Sequence, residues 1–254
     1  SAVGTYNYKL AKYLDEILKP LLNDCKFIIK DTFSFVNDIS TIQIEESEQL
    51  VSFDVESLFT NIPVTQTIDI NIKRVFENND RFHSMNKDDL KYLLSKCVQE
   101  SHFQFNDKFY DQIDGVSMGS PLGPLFANIF MDEFEKNHHE ELKELGVRYW
   151  KRYVDDIFCI IKNRKNNEIL EYLHSKHPSI KFTIEIEEKQ KLSFLDTLVS
   201  RKDNKLKTTI YRKKTFTGVC SLTSKKYKLG LIYGQMDRVW KICSNDQLRN
   251  EEFK

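Results

Sequence analysis

The feature that most limits how this chain folds is a pair of adjacent acids inside an otherwise apolar stretch. Tyr153-Val154-Asp155-Asp156 is flanked by two runs, Arg148–Tyr153 and Ile157–Ile161, that are rich in the β-branched and aromatic residues typical of strands. The pattern predicts a hairpin whose turn lacks the Gly or Asn that tight turns usually contain. Adjacent carboxylates in an apolar hairpin repel each other, and burial disfavours their charged forms. A divalent cation would compensate this charge, and Mg²⁺ prefers carboxylate oxygens.

A third carboxylate, Asp54, stands near the end of another apolar strand, Leu50–Val55. If this strand lies beside the hairpin, we expect Asp54 to converge with Asp155 and Asp156. Two metal ions about 4 Å apart at such a site would stabilise the attacking and leaving oxygens of a phosphoryl displacement. Taken alone, Asp54 is equally well explained as a strand-end acid that caps a turn. Together with the hairpin acids, it favours a metal site.

The rest of the chain mixes helices and strands without regular β-α-β alternation, which favours an α+β fold. Apolar spacing and cap residues predict helices at Tyr6–Leu22, Val64–Phe76, Lys87–Ser101 with Asn86 as N-cap, a long segment after Pro124 that ends near Leu145, Asn166–Ser175, and the tail from Ser224. Further strands are predicted at Phe103–Phe105, Lys108–Tyr110, Val147–Tyr153, Ile157–Lys162, Ile180–Ile186, Leu192–Ser200 and Lys205–Tyr211. Asn106-Asp107 and Asp203-Asn204 are the predicted hairpin turns.

The segment Gly115–Pro124 contains three of the eight glycines and two of the five prolines. Closely spaced Gly and Pro predict a rigid loop in which the backbone approaches a ligand or a neighbouring segment. The glycines alone are also consistent with an ordinary loop. The run Gly119–Pro124, which opens a long helix, is more specific.

The charge balance first counts against a nucleic-acid-binding protein, since the chain has 38 Lys+Arg and 38 Asp+Glu. The charges are nevertheless segregated. Residues 181–254 contain 17 basic and 9 acidic residues, and Val199–Lys228 contains ten Lys or Arg and only one acid. This distribution indicates either a solvated basic hairpin or an electrostatic surface for an anionic partner.

The five cysteines show neither disulfide density nor paired metal-ligand spacing, which predicts reduced thiols in an intracellular protein. No apolar run approaches the ~18 residues of a membrane span, so we expect no membrane partner. The chain begins with Ser, which indicates a fragment or a processed chain.

Several segments, in this order, resemble reverse transcriptases, most closely those of Penelope-like retroelements. Ser52–Pro63, Met118–Pro124 and Trp150–Asp156 are similar to that family's first three palm motifs. The later segments that carry the resemblance are Phe182–Glu185, Phe194–Asp196, Tyr211–Lys213, Lys228–Ile232 through Arg238, and Ile242–Ser244. The likeness extends over nearly the whole chain.

The resemblance implies an α+β right-hand polymerase with palm and fingers, an antiparallel palm sheet and a partial helical thumb. It divides the chain into fingers and palm at 1–217, with the N-terminal fingers portion missing, and the start of the thumb at 218–254. Because the fingers normally supply cations that grip the triphosphate, we expect the isolated chain to be a poor polymerase. The family also implies a nuclear location.

The resemblance also assigns a metal site. Asp54, Asp155 and Asp156 would hold two Mg²⁺ ions, with Mn²⁺ as the alternative metal. Asp54 would bridge both ions, and the carbonyl of Val55 would be a further ligand.

The same resemblance implies a nucleotide site. Phe59 falls where such enzymes place a steric gate under the sugar, although a core Phe is the alternative. Met118, Gly119 and Ser120 would line the nascent base pair. Lys189, or its neighbour Lys191, would protonate the departing pyrophosphate, although each is equally well explained as a solvated turn residue.

A primer and template site is implied further along the chain. Phe194 and Leu195, with Asp196, would form a primer-holding hairpin. The residues expected to contact the primer–template duplex are Tyr153, Phe194, Leu195, Lys205, Lys207, Arg212 and Lys213. Cations that follow the phosphates would give salt-dependent, sequence-independent affinity.

The implied activity is that of an RNA-directed DNA polymerase of a retrotransposable element. Its partners would be an RNA template, a DNA primer and dNTPs, and the sequence does not indicate an oligomeric state. Two alternatives stay open. One is a telomerase-like or viral RNA-dependent polymerase of the same fold, and the other is an inactive nucleic-acid-binding relic.

Overall fold

The chain folds as a mixture of helices and antiparallel strands, as expected. The computed structural model describes residues 5–78, 80–99, 102–212 and 225–252. The helices are α1 Tyr8–Leu18, α2 Thr32–Ser40, α3 Leu58–Asn61, α4 Val64–Val75, α5 Lys87–Val98, α6 Gly123–Glu144, α7 Asn166–Lys176, α8 Lys225–Ile242 and α9 Asp246–Glu252. The strands are β1 Glu48–Val55, β2 His102–Phe105, β3 Lys108–Asp111, β4 Val147–Tyr153, β5 Asp156–Lys162, β6 Phe182–Ile186, β7 Lys191–Phe194, β8 Thr197–Lys202 and β9 Lys205–Ile210.

A four-stranded sheet with the order β4-β5-β1-β6 carries the predicted acids. β4 and β5 form the predicted hairpin, and β1 pairs antiparallel with β5, with Leu50 opposite Ile160 and Asp54 opposite Asp156. The expectation that the Asp54 strand lies beside the hairpin is therefore confirmed. Both faces of β5 are apolar: Ile157 to Ile161 are all fully buried.

Contacts divide the chain into two compact units, each made of several segments. The first unit contains residues 1–28, 55–145 and 168–183, and the second contains residues 29–54, 146–167 and 184–254. In the second unit, a core of fully or almost fully buried residues joins α2 to β1, β5 and the β7-β8-β9 sheet. Phe35, Phe158 and Phe194 form its centre, with ring centroids 4.7–5.4 Å apart.

The first unit is mainly helical, and a buried ion pair anchors its long helix α6. Asp132 is fully buried and receives Arg74 at 2.9 Å and Lys136 at 2.7 Å. Burial, with a smaller contribution from the charge of Asp132, raises the pKa of the nearby Cys25 thiol to about 11. The four described cysteines, Cys25, Cys97, Cys159 and Cys243, are free thiols, in agreement with the expectation of reduced cysteines.

Local signals explain most of the element boundaries. Asn86 caps α5 as predicted, because its side chain accepts from the Asp89 N–H while Asp89 accepts from Asn86. The predicted turns at Asn106-Asp107 and Asp203-Asn204 are both observed with positive φ, a conformation that Asn and Asp tolerate. A similar capping box between Asp31 and Ser34 opens α2, a helix that the sequence patterns did not predict.

Two predicted elements differ from the structure. The strand predicted over Leu192–Ser200 is interrupted by a turn at Leu195-Asp196, where Leu195 has a φ of +52°. The turn forms because β7 pairs with β8 as a hairpin. The first helix is also shorter than predicted, since it passes into a 3₁₀ turn at Lys19–Leu22, where Pro20 lies.

The predicted boundary between residues 217 and 218 falls outside the described residues and stays a prediction. Within the described parts of the chain, no helix combines the length and apolarity that crossing a membrane requires.

Candidate active site

The end of the four-stranded sheet brings two of the predicted carboxylates together. Asp54 lies directly opposite Asp156, and Tyr153 lies opposite Asp156 on its other side. Directly opposed residues project from the same face of a sheet with Cβ atoms about 4.5–5.5 Å apart. Asp54 is exposed, and Asp155 and Asp156 are half-buried. Solvent and small ligands therefore have access to this end of the sheet.

The turn that carries Asp155 is strained. Val154 has a φ of +56°, in the left-handed region that β-branched residues rarely adopt. Such a conformation costs about 1–3 kcal/mol and persists only where the surroundings enforce it. Two-residue hairpins need positive φ in the turn, so tight pairing of Tyr153 with Asp156 enforces it here. Strain of this kind clusters at functional sites.

A buried arginine supports the strained turn from the opposite face of the sheet. Arg152 is fully buried, and its Nη1 donates to the carbonyl of Val154 at 2.9 Å. Its own carbonyl accepts from the Ile29 N–H at 2.7 Å. Arg152 lies within the Trp150–Asp156 motif, but neither the sequence patterns nor the resemblance assigns it a role. The sequence signal that could identify Arg152 is a charged residue at an inward-facing position of an apolar strand.

The three predicted carboxylates do not form a ready-made metal cluster. Among the described residues, no three His, Cys, Asp or Glu side chains are grouped so as to hold a metal ion. The expected convergence of Asp54, Asp155 and Asp156 is therefore not preformed in this structure. Asp155 belongs to the turn, whereas Asp54 and Asp156 belong to paired strands.

The pair of acids nevertheless fits a hard divalent cation. Mg²⁺ commonly takes only one or two carboxylates from a protein and fills its remaining positions with water and phosphate oxygens. Asp54 and Asp156 supply two such carboxylates at adjacent positions of one sheet face. The donor set is thus suited to Mg²⁺ or Mn²⁺ rather than to a softer metal.

Phe59 and the glycine-rich loop that carries Met118, Gly119 and Ser120 lie together within the first unit. Phe59 lies in α3, and its carbonyl accepts from the Val116 N–H at 2.7 Å. A Cβ atom on Gly123 would lie 3.4 Å from the Phe59 ring. The glycine-rich loop thus packs directly against the segment that carries Phe59, and the half-buried ring forms part of this contact.

The tip of the same loop is presented to solvent. Met118 is 72% exposed, Gly119 has a φ of +89°, and Ser120 donates its N–H to the Ser117 carbonyl at 3.0 Å. An exposed methionine at the tip of a rigid turn is available for contact with a ligand. The third predicted member, Ser120, is half-buried.

The register contradicts the expected role of Lys189. Lys189 and Gln190 form a turn with φ of +49° and +61°. The Gln190 carbonyl accepts from the Arg201 N–H at 2.9 Å, and the Arg201 guanidinium reaches the Glu48 carbonyl at 2.6 Å. Glu48 lies six residues before Asp54, which is about 20 Å along a strand. Lys189 is therefore at the opposite end of the sheet from Asp54, beyond the reach of a phosphate held there.

That far end of the sheet is closed by a structural ion-pair network. Arg148 binds both carboxylate oxygens of Glu48, and Arg201 binds Glu187 at 2.6 Å. Burial raises the pKa of Glu48, but the hydrogen bonds from Arg148 and the Glu45 N–H outweigh it and hold the pKa below its usual value. Glu48 is thus a charged structural residue.

The predicted primer and template residues belong to the second unit, where some of those that the structure describes are exposed and others form ion pairs. Tyr153 is 39% exposed beside Asp156, and Lys205 is exposed on the β8–β9 hairpin. Lys207 lies 4.0 Å from Asp203, and Arg212 forms an ion pair with Glu252. Lys213 lies outside the described residues.

The expected primer contact of the Phe194 side chain is wrong. Phe194 is only 3% exposed, because its ring packs against Phe35 and Phe158 in the core of the second unit. Leu195 follows at the turn and packs partly against the same core. Phe194 therefore anchors the hairpin and leaves Leu195 and Asp196 at its tip.

A groove of about 760 Å³ in the first unit contains none of the predicted site residues. It is lined by the start of α4 and by Asp114, whose Oδ1 accepts the N–H groups of Val64 at 3.2 Å and Gly115 at 2.9 Å. Asp114 thus caps α4 from a distant part of the chain. No local sequence signal marks such a contact.

Comparison with protein families gives a match over most of the chain. A family model described as reverse transcriptase (RNA-dependent DNA polymerase) matches residues 5–215. No curated protein sequence matches the chain.

Solved polymerase structures share the fold. Apo telomerase from Candida tropicalis has a TM-score of 0.62 at 12% identity, covering 91% of this chain and 45% of that chain. Telomerase from Candida albicans, in complex with a fragment of telomeric RNA, has a TM-score of 0.60 at 10% identity, with 79% and 38% covered. The RNA-dependent RNA polymerase of BmCPV, at elongation state, has a TM-score of 0.55 at 11% identity, with 80% and 20% covered.

These likenesses establish the architecture. The chain spans less than half the length of each of these three structures. The expected α+β fold with antiparallel sheets and the architecture of a polymerase palm and fingers is confirmed, and the partial helical thumb stays a prediction.

Proposed function

This chain belongs to the reverse transcriptase family, and on that premise we propose that it is the polymerase core of a retroelement RNA-directed DNA polymerase. In the reaction the 3′-hydroxyl of a primer paired with an RNA template loses its proton and forms a bond to the α-phosphorus of a dNTP, and the bond from that phosphorus to the β-phosphate breaks to release pyrophosphate. The observation that carries the proposal is the pairing of Asp54 with Asp156 beside the strained Val154 turn. The proposal includes a Penelope-like element as the source and a nuclear location.

The chemistry requires charge compensation more than acid–base groups. Positioning and electrostatic stabilisation supply most of the catalysis of phosphoryl transfer. Asp54 and Asp156 would hold Mg²⁺, and Asp155 and the Val55 carbonyl would complete the metal ligands. When bound, two such ions stabilise the charge on the attacking and leaving oxygens. The Arg152 hydrogen bond to the Val154 carbonyl keeps the turn in the conformation that presents the acids.

Other residues would select the substrates. Phe59 is held by Val116 and Gly123, and a fixed bulky ring would exclude a 2′-hydroxyl and so favour dNTPs. Met118, exposed at the loop tip with Gly119 and Ser120, would contact the nascent base pair.

The duplex would contact the second unit. Tyr153, Leu195 and the basic β8–β9 hairpin, with Lys205 and Lys207, would contact the primer–template duplex. Arg212 and Lys213 continue this basic segment. Phosphate contacts of this kind give sequence-independent affinity that falls with salt.

A telomerase-like RNA-directed polymerase is the second candidate. It is favoured by the TM-score of 0.62 against apo telomerase from Candida tropicalis. The retroelement proposal is preferred because the motif order and the Ser52–Pro63 segment resemble Penelope-like enzymes closely. An inactive nucleic-acid-binding relic would keep duplex binding and lose metal binding at Asp54 and Asp156.

Primer extension separates these functions. The full reading frame that encodes this chain is assayed with RNA and DNA templates, and with dNTPs and NTPs. We expect metal-dependent dNTP incorporation on diverse RNA templates. Extension restricted to one short repeated template sequence would favour the telomerase-like candidate, and NTP incorporation would favour an RNA polymerase. Duplex binding without any extension would support the relic.

A further inference from the structure

Lys151 lies on the same face of the sheet as the paired acids. In β4 it stands two residues before Tyr153, so both side chains project from one face. Lys151 is opposite Phe158, and Tyr153 is opposite Asp156, which in turn faces Asp54. A diagonal neighbour such as Asp156 is about 7–8 Å from Lys151 between Cα atoms, within reach of a long side chain.

Ring contacts on both sides of the strand confirm this assignment of faces. Tyr149, two residues before Lys151, contacts Phe158 with ring centroids 6.1 Å apart. Trp150, on the other face, stacks on Phe53 at 5.9 Å. Arg152 is also on that other face and is fully buried, with its guanidinium on the Val154 carbonyl. Lys151, by contrast, is half-buried on the face of the acids.

On this face of the sheet, near the turn, the acidic side chains outnumber the basic ones. The two residue layers of β4, β5 and β1 nearest the turn contain Tyr153, Asp156 and Asp54, then Lys151, Phe158 and Ser52. In these two layers, which the structure describes completely, Lys151 is the single cation beside two carboxylates. Its ammonium and a divalent metal ion would compensate the same negative charge.

We propose that Lys151 is a built-in counter-cation that competes with divalent metal for Asp54 and Asp156. In the metal-free protein its charge keeps the two facing carboxylates together. A metal ion that binds to them must act against this charge, so free metal binds more weakly than the carboxylate pair alone would allow. A metal ion that arrives on a nucleotide triphosphate brings its own phosphate ligands and is affected less. Lys151 is thus a positioning residue for the metal site, and this inference rests on the proposed function.

The sign of the effect makes the inference testable. If the ammonium and the metal ion are taken to be about 7 Å apart, the repulsion between one positive charge and a divalent ion in a water-like dielectric corresponds to about a tenfold change in affinity. Removing the charge of Lys151 should therefore tighten metal binding. Damage to the site would weaken it, so a merely structural role for Lys151 predicts the opposite sign.

The experiment measures the Mn²⁺ dissociation constant of the 254-residue chain by electron paramagnetic resonance, without nucleotide. Lys151→Met and Lys151→Gln are compared with Lys151→Arg, which keeps the charge. Lys162→Met is the matched control, because Lys162 lies six residues along β5 from Asp156, about 20 Å away. Circular dichroism verifies that each variant is folded.

We expect Lys151→Met and Lys151→Gln to bind Mn²⁺ about tenfold more tightly than the wild type, and the Arg variant and the Lys162 control to bind like it. Unchanged or weaker binding by both neutral variants would overturn the inference. Asp156→Asn identifies the site: if it does not lower Mn²⁺ binding, the metal site of the proposed function is wrong as well. Loss of binding in Asp156→Asn together with unchanged binding in Lys151→Met would leave the proposed function standing and reject only the role of Lys151.

Discussion

Replacing Gly115 with Ala should damage the contact between the glycine-rich loop and the Phe59 segment. Gly115 is buried and has a φ of +75°. A Cβ atom there would lie 2.3 Å from the carbonyl oxygen of Thr60 and 2.5 Å from its carbon. Real Cβ atoms essentially never approach a neighbour closer than 3.0 Å, and the obstacle is backbone, so one of the two segments must move.

The size of the effect follows from two terms. A left-handed conformation costs a residue with a Cβ atom about 1–2 kcal/mol. Forcing an extra methyl group into a packed site costs about 1–3 kcal/mol more. We therefore expect Gly115→Ala to lower the free energy of unfolding by about 2–5 kcal/mol. For a chain of this size the melting temperature should fall by roughly 5–15 °C.

Thermal unfolding followed by circular dichroism measures this change, with Gly230→Ala as the matched control. Gly230 lies in α8, and a methyl group added there would have no neighbour within 4 Å, so Ala at this position should stabilise the helix by about 1 kcal/mol. The two substitutions add the same methyl group and should have opposite signs. A Gly115→Ala variant that melts at or above the wild-type temperature would refute this account of the loop.

Three further predictions concern other parts of the chain. Glu48→Gln should lower the free energy of unfolding by about 2 kcal/mol at pH 7, because the charge-assisted bonds from Arg148 are lost. The pKa of Glu48 in the folded protein lies below 4.5. Urea titrations should therefore show the stabilisation by Glu48 present above that pH and lost as the pH falls through the folded pKa. The pair Arg238–Asp196, 2.5 Å apart but partly exposed, should contribute less than about 1 kcal/mol, and a larger coupling energy in a double-mutant cycle would contradict its exposed character. Phe59→Ala should raise the ratio of ribonucleotide to deoxynucleotide kcat/KM by about tenfold or more, and an unchanged ratio would remove Phe59 from sugar selection.

The hairpin and its partner strand could be predicted from the sequence, because each combines an apolar run with an acidic residue where a strand would normally be apolar. Turns at Asn106-Asp107 and Asp203-Asn204 were predictable for a local reason, since Asn and Asp tolerate positive φ. The strained turn at Val154 has no such local cause. It follows from pairing between β4 and β5, which only the folded sheet imposes.

Tertiary contacts explain what the sequence patterns missed. α2 is nine residues long, and a helix of that length is marginal by itself. It forms because Phe35 and Ile39 are buried in the core of the second unit. The turn at Leu195 likewise depends on the pairing of β7 with β8. The role expected for Lys189 was wrong because a motif does not reveal which end of the sheet a turn occupies.

The central claim is that the acidic end of the sheet catalyses RNA-directed DNA synthesis. The most direct test is single-nucleotide extension of a DNA primer on an RNA template by the full reading frame that encodes this chain, with excess enzyme. Asp155→Asn is compared with the wild type and with Asp203→Asn, which alters an exposed turn acid on the β8–β9 hairpin. We expect metal-dependent dNTP incorporation by the wild type and the Asp203 control, and a loss of about a hundredfold or more in the Asp155 variant. Unchanged extension by Asp155→Asn would contradict the account.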